Sequence, residues 1–128
     1  MVTRLARYLW AGPTTLIGLA IVLALRRHGR VALVDGVIEA HGPLIQRALA
    51  SLTLLPGGAC AMTLGHVVIA RDARALDVTR AHERVHVRQY EVWGPFFLPA
   101  YLLAGLWAVM RGGHPYLDNR FERDARLL

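Results

Sequence analysis

Lysine is missing from this 128-residue chain, whose fifteen basic residues are all arginine, and cysteine occurs once, as Cys60. A single thiol excludes an intramolecular disulfide and permits a reducing compartment without requiring one. Cys60 stands in Gly-Gly-Ala-Cys-Ala-Met with no base nearby in sequence, so it reads as a small buried apolar residue rather than a nucleophile. The chain has no Ser-His-Asp arrangement, phosphate-cradling glycine loop, internal repeat or low-complexity tract, which removes serine hydrolases, nucleotide-loop enzymes and solenoids from the candidates. Acidic charge is also scarce: nine Asp and Glu leave a formal net charge of +6. Such a surplus suits RNA, DNA or anionic lipid. No nucleic-acid fold signature accompanies it, whereas Arg4, Arg7, Arg26, Arg27 and Arg30 bracket an apolar stretch. Membrane lipid is therefore the expected partner and nucleic acid is not.

Apolar residues are plentiful. They make up 55% of the chain, with a mean hydropathy of +0.36, above the usual share for a soluble domain. The length predicts one domain, residues 1–128. Tyr8 to Leu25 is an uncharged run of 18 residues, near the lower limit for a spanning helix and a candidate membrane anchor. Pro13 suits the first turn of a helix, which leaves Thr14 to Leu25 as the uninterrupted part. Arg26-Arg27 follows where a signal peptide needs small residues for cleavage.

Val31–Val34 and Val37–Ala40, joined by Asp35-Gly36, predict a β-hairpin with a two-residue turn of positive φ. Gly42-Pro43 ends it. Leu44 to Leu55 predicts a helix with Leu44, Ala48, Leu49, Leu52 and Leu55 on one face, closed by Pro56-Gly57-Gly58. Ala61 to Ala70 is a β-rich run. His66 lies within it and reads as an ordinary strand histidine, outside any metal shell.

The most informative stretch is Thr79-Arg80-Ala81-His82-Glu83-Arg84-Val85-His86, which contains H-E-x-x-H. On a helix His82 and His86 share one face and can reach one cation, while Glu83 stands beside them as a base for water. Zinc takes two such imidazoles and a third protein ligand, and makes bound water acidic near neutral pH. Asp77 is the expected N-cap, with Thr79 following. Asp118 or Asn119 is expected to cap a final helix that carries Glu122.

Val92 to Met110 is a second uncharged run, of 19 residues, interrupted at Gly94-Pro95, Pro99 and Gly105. A simple crossing conflicts with the metal site, because Glu122 and the histidines on either side of it would be separated by about 30 Å of hydrocarbon. Three arrangements escape: a helical hairpin that enters and returns, a helix in the protein core, or a metal site in a water-filled cavity at membrane depth. The prolines favour the first two. Trp93, Phe96, Phe97, Tyr101 and Trp107 suit either a lipid boundary or a core.

His82-Glu83-Arg84-Val85-His86, followed by Glu122-Arg123-Asp124-Ala125 in an E-x-x-A pattern, resembles the gluzincin clan of zinc metalloproteases. The closest likeness is to its integral-membrane branch, which contains the CAAX prenyl proteases and the bacterial heat-shock membrane protease. The resemblance implies that His82, His86 and Glu122 hold Zn2+ and that Glu83 is the catalytic base. It also implies a peptide or protein substrate and a bacterial inner (cytoplasmic) membrane location. An edge strand upstream of the metal helix, here within Ala61–Ala70, would pair with extended substrate. Tyr116 or His114 would donate to the oxyanion, and Asp118 or Asp124 would steady the histidines.

The expected fold class is α+β: a mainly helical, minimal zincin-like domain, with a small hairpin and sheet before the metal helix and one or two membrane-inserted or re-entrant apolar helices. The expected function is a membrane-associated zinc hydrolase, most simply a metallopeptidase. The alternative is a non-catalytic membrane-bound metal-binding or scaffold protein that keeps the tripod for structure.

Overall fold

A computed structural model describes residues 4–52 and 60–127. In chain order it contains helices α1 (Arg4–Trp10) and α2 (Gly12–Leu25), strands β1 (Arg30–Val34) and β2 (Val37–His41), helix α3 (Pro43–Leu52), strands β3 (Ala61–Leu64) and β4 (Val67–Ala70), then helices α4 (Ala73–Trp93), α5 (Phe97–Met110) and α6 (Arg120–Leu127). The architecture is mixed helix and sheet, as expected.

The four strands form one sheet in the order β1-β2-β4-β3. The β1–β2 and β3–β4 pairs are antiparallel and the central β2–β4 pair is parallel. The first hairpin turns where expected, since Asp35 and Gly36 both adopt positive φ. Ala61–Ala70, read as one strand, is instead a second hairpin. Gly65 at φ 64 reverses the chain, and Thr63 pairs with Val68. Gly-His is a weaker turn signal than Asp-Gly, and the continuous apolar run concealed it.

Strand β4 is buried along its whole length, and its alternating side chains serve two cores, as the two-residue strand period requires. Val67 and Ile69 join Val22, Ala40, Ile45 and Leu49 beneath α2 and α3. Val68 and Ala70 join Val37, Ala75, Leu76 and Val87 beneath α4, with Cys60 packed alongside. The sheet is therefore the middle layer between α2/α3 and α4. Of the face predicted for α3, Leu49 is buried with Ile45 while Leu44 and Ala48 are half-buried. Its expected extension to Leu55 and its Pro-Gly-Gly stop lie outside the described residues.

The run Tyr8–Leu25 is not one rod. Helices α1 and α2 meet at Ala11 with a bend of 70°, and Pro13 sits in the first turn of α2. The fourteen residues of α2 span about 21 Å, short of the hydrocarbon thickness of about 30 Å. Its inner face holds Thr14, Gly18 and Val22. Gly18 lets it lie on the sheet, because a Cβ there would stand 2.8 Å from Val67 Cβ. Its outer face exposes Leu16, Ile17 and Leu23.

The second apolar run is also broken. Gly94, at φ 58, ends α4 and starts a short 3-10 turn through Phe96, after which α5 returns toward the metal helix. Phe97 packs on Tyr90 at 4.3 Å between ring centroids. Tyr101 reaches His86, seven residues before the break, at 6.4 Å. Ala11, Tyr90, Phe97 and Phe121 form the knot that joins α4, α5 and α6. The five aromatics of this run differ in burial. Phe97 is buried and Tyr101 half-buried, whereas Trp93, Phe96 and Trp107 are exposed. Taken through its turn, the helical segment Ala73–Met110 contains a window apolar enough to cross a membrane, and only 22% of that window is buried.

Candidate metal centre

The long helix α4 begins at Asp72, whose carboxylate accepts from the Ala75 backbone N–H at 2.7 Å. The expected cap, Asp77, lies one turn inside the helix and pairs with Arg80 at 3.1 Å. The helix starts earlier because Ala75 and Leu76 pack against the sheet, and that burial outweighs the weak local preference at Asp77.

From this helix His82 and His86 project toward α6, where Glu122 meets both. Their ligand atoms all lie within 4.8 Å of one another. His82 Nε2 is 3.2 Å from Glu122 Oε2, and His86 Nε2 is 2.8 Å from Glu122 Oε1. That second pair is out of line for a hydrogen bond, which leaves His86 Nε2 buried without a partner. A buried ring nitrogen placed beside a carboxylate, but not bonded to it, fits a ligand that shares a cation with that carboxylate. Two imidazoles and one carboxylate can hold a divalent metal ion, and the sequence placed all three.

Gln89 escaped the sequence reading. Its side-chain oxygen lies 2.8 Å from His86 Nδ1, so Nδ1–H donates there and Nε2 keeps its lone pair for a cation. Its amide nitrogen donates to the Phe121 carbonyl at 3.2 Å, next to Glu122. One side chain thereby sets the tautomer of one ligand and ties down the helix that carries another. The available signal was its place three residues after His86, on the same helical face. Asp118 and Asp124, expected in this role, do not fill it. Asp118 accepts from the His114 backbone N–H at 2.6 Å, and Asp124 is exposed.

The carboxylate is held from the other side by a tyrosine. Tyr101 donates to Glu122 Oε1 at 3.0 Å, while Tyr116 is half-buried in the turn before α6. Burial together with the Glu122 charge pushes both phenols well above the ordinary tyrosine range, so they stay protonated donors. Tyr116 was anticipated at the site, whereas Tyr101 was hidden among the aromatics of an apolar run. His114 takes a structural part: its Nδ1 accepts from the backbone of Tyr116 and Leu117 at 3.0 and 3.1 Å. Between the two expected caps of α6, Asn119 is the one used. It is fully buried, accepts from Phe121 N at 3.0 Å and donates to the Tyr101 carbonyl at 2.9 Å.

Burial raises the proton affinity of Glu122, but the contacts of His82 and His86 outweigh it and hold the carboxyl down at about 2. For His86 burial opposes protonation, and the Glu122 carboxylate outweighs it, so the imidazole is raised. A proton therefore competes with a cation for this nitrogen. Glu83, beside the triad, is raised chiefly by burial. Its Oε2 accepts from Thr63 Oγ1 at 2.6 Å, and Thr63 lies on β3, a strand at the edge of the sheet. Tyr90 donates to the Thr63 carbonyl at 3.1 Å, which fastens that edge to the metal helix.

No family model, curated protein or solved structure matches this chain. What the site can do follows from its own residues.

On the far side of α4, Glu39 of β2 is a buried carboxylate held by two arginines. Arg80 grips it through Nε and one terminal nitrogen at 3.0 and 2.8 Å, and Arg84 reaches it at 2.7 Å. Arg84, the charge between the two histidines, thus turns away from the metal and pins the helix to the sheet. His66 is apart from the triad, with Nε2 2.9 Å from Glu91.

Proposed function

We propose that the chain is a small membrane-associated zinc hydrolase of gluzincin type, with peptide bonds as its substrate class. The observation that carries the reading is a buried base beside a ligand set in which two imidazoles and a carboxylate converge. That donor set suits zinc, for which imidazole and carboxylate are ordinary ligands. Bound zinc supplies Lewis acidity, polarising a carbonyl and making water acidic enough to lose a proton near neutral pH.

Glu83 takes that proton and passes it to the leaving amine. The Thr63 hydroxyl occupies its Oε2, so Oε1 is the oxygen that moves the proton. Burial makes this carboxylate a stronger base than an exposed one, which matches its affinity better to the working pH. Tyr116 donates to the oxyanion formed at the carbonyl carbon, while Tyr101 and Asn119 hold α6 in register. Strand β3 pairs with an extended substrate through the part of its outer edge beyond the Thr63 carbonyl, which Tyr90 already holds.

The site sits against the membrane surface. Leu16, Ile17 and Leu23 on α2, with Leu102, Leu103, Leu106, Trp107 and Met110 on α5, are all at least half exposed, and so large an apolar surface is costly in water. Each of these fourteen-residue helices is too short to cross alone, so both dip into one leaflet while the metal helix stays at the interface.

The test is zinc per chain and hydrolysis of a fluorescence-quenched peptide library by full-length protein in detergent. Wild type and Glu83→Gln are expected to carry one zinc, Glu122→Ala to lose it, and only wild type to cleave. Cleavage by Glu83→Gln would sink the mechanism. Zinc binding without cleavage of any library member would favour the non-catalytic scaffold.

A further inference from the structure

A second site lies on the opposite side of α4. Arg80, Arg84 and Arg88 stand four residues apart along one row of that helix, about 200° round from His82 by its periodicity. They face Arg4 and Arg7 of α1 across a cavity of about 300 Å³. Tyr8 lays its ring 4.1 Å from that of His66 at the cavity wall and donates to the Gly36 carbonyl at 2.5 Å, which fixes α1 in place. Like charges at this helical spacing repel, and the protein answers only part of them. Glu39 serves Arg80 and Arg84, Asp77 serves Arg80, and Glu91 is engaged by His66. Asp35 is the remaining acidic residue on the lining. Arg4, Arg7 and Arg88 have no ion pair among the described residues. Two buried nitrogens on lining residues, Arg84 Nε and His66 Nδ1, lack any hydrogen-bond partner. Arg80 is filled by Glu39 and Asp77, and the terminal nitrogens of Arg84 by Glu39 and the Val34 carbonyl. A native fold that still brings three guanidiniums without an acidic partner to one cavity, beside a buried donor left unpaired, has assembled an anion site.

We propose that this cavity binds a phosphate group, presented either by an anionic lipid headgroup or by a small soluble phosphate. Guanidinium forks from two helices match the several oxygens of a phosphate better than the two of a carboxylate. The cavity is large enough for a headgroup but not for a chain. Leu5 and Leu9 project outward from the same short helix as Arg4 and Arg7, so a lipid phosphate at the arginines would place its chains beside apolar side chains. The proposal does not depend on the metal chemistry.

Full-length protein in a neutral maltoside detergent is titrated with inorganic phosphate. It is also floated with phosphatidylcholine vesicles that contain or lack phosphatidic acid. Wild type is compared with Arg7→Gln/Arg88→Gln and with Arg47→Gln/Arg123→Gln. All four positions are exposed, and the last two carry the same charge outside the cavity. The cavity variant is expected to bind about tenfold more weakly per arginine removed, with the control variant close to wild type. Saturable, cavity-dependent binding of inorganic phosphate identifies a soluble source. A cavity-dependent gain seen only with phosphatidic acid identifies the lipid. Equal losses in both variants, or no loss in either, would overturn the proposal. Unchanged circular dichroism and zinc content of the cavity variant exclude unfolding as the cause.

Discussion

Replacing Gln89 with Leu tests whether the triad is a metal site or merely a buried ion-pair cluster. Two hydrogen bonds disappear, 2.8 Å to His86 Nδ1 and 3.2 Å to the Phe121 carbonyl, while the volume of the side chain is nearly kept. Without an acceptor at Nδ1 the imidazole is free to hold its proton on Nε2, the atom that faces Glu122, and metal affinity should fall 10- to 100-fold, roughly 1.4 to 2.8 kcal/mol. The metal-free protein should lose stability separately, by about 1 kcal/mol for each unpaired group, since Gln89 is half-buried. Gln89→Glu separates the two roles. It retains an acceptor for Nδ1–H and should keep zinc, but loses the tie to α6. The assay is competition for zinc against a chromophoric chelator, beside thermal unfolding of the metal-free chain. Zinc affinity of Gln89→Leu within about twofold of wild type, against the larger loss expected when an outer partner is removed, would refute the reasoning.

Tyr116→Phe should lower kcat by about a hundredfold while leaving zinc per chain unchanged, as removal of one oxyanion donor does; an unchanged kcat would reduce Tyr116 to packing. Gly18→Ala should destabilise the fold by about 1–3 kcal/mol, because its Cβ would meet Val67 Cβ at 2.8 Å and the Leu64 carbonyl at 3.1 Å, and thermal unfolding reads the loss. Glu39 is held below the usual carboxylate range, first by its hydrogen bond with Arg80, which outweighs burial, and then by Arg84. A depressed folded pKa contributes stability above the unfolded value of about 4.3 and loses it as pH falls through the folded value. Glu39→Gln should therefore be less stable than wild type near pH 7, with the gap closing on acidification in denaturant unfolding. A gap that widens in acid would reverse the assignment.

The features legible in the sequence were those with a local cause. Asp35-Gly36 can hardly avoid a tight turn, because both residues accept positive φ at little cost, and the four-residue spacing of His82 and His86 puts two imidazoles on one face of any helix. The same logic placed Glu122 on a final helix capped at Asp118 or Asn119. Where the cause was tertiary, the reading slipped. The helix start moved from Asp77 to Asp72 because the sheet buries the turn between them. The second hairpin was concealed because β4 is covered on both faces, which erases the alternation that would have marked its start.

Residue chemistry and short-range periodicity by themselves determined that His82 and His86 share one helix face with Glu83 beside them, the first hairpin and the two apolar runs. Those depend on contacts within a turn or two of chain, and a sequence states them directly. The tertiary structure alone decided that Thr63 holds Glu83, that Tyr101 reaches Glu122, and that Arg84 turns away from the metal to meet Glu39. These partners lie between 20 and 45 residues apart in the chain. Only the packing of α4 between the sheet and the α5–α6 pair brings them together, since a side chain's partner across a core is set by which faces are buried against each other.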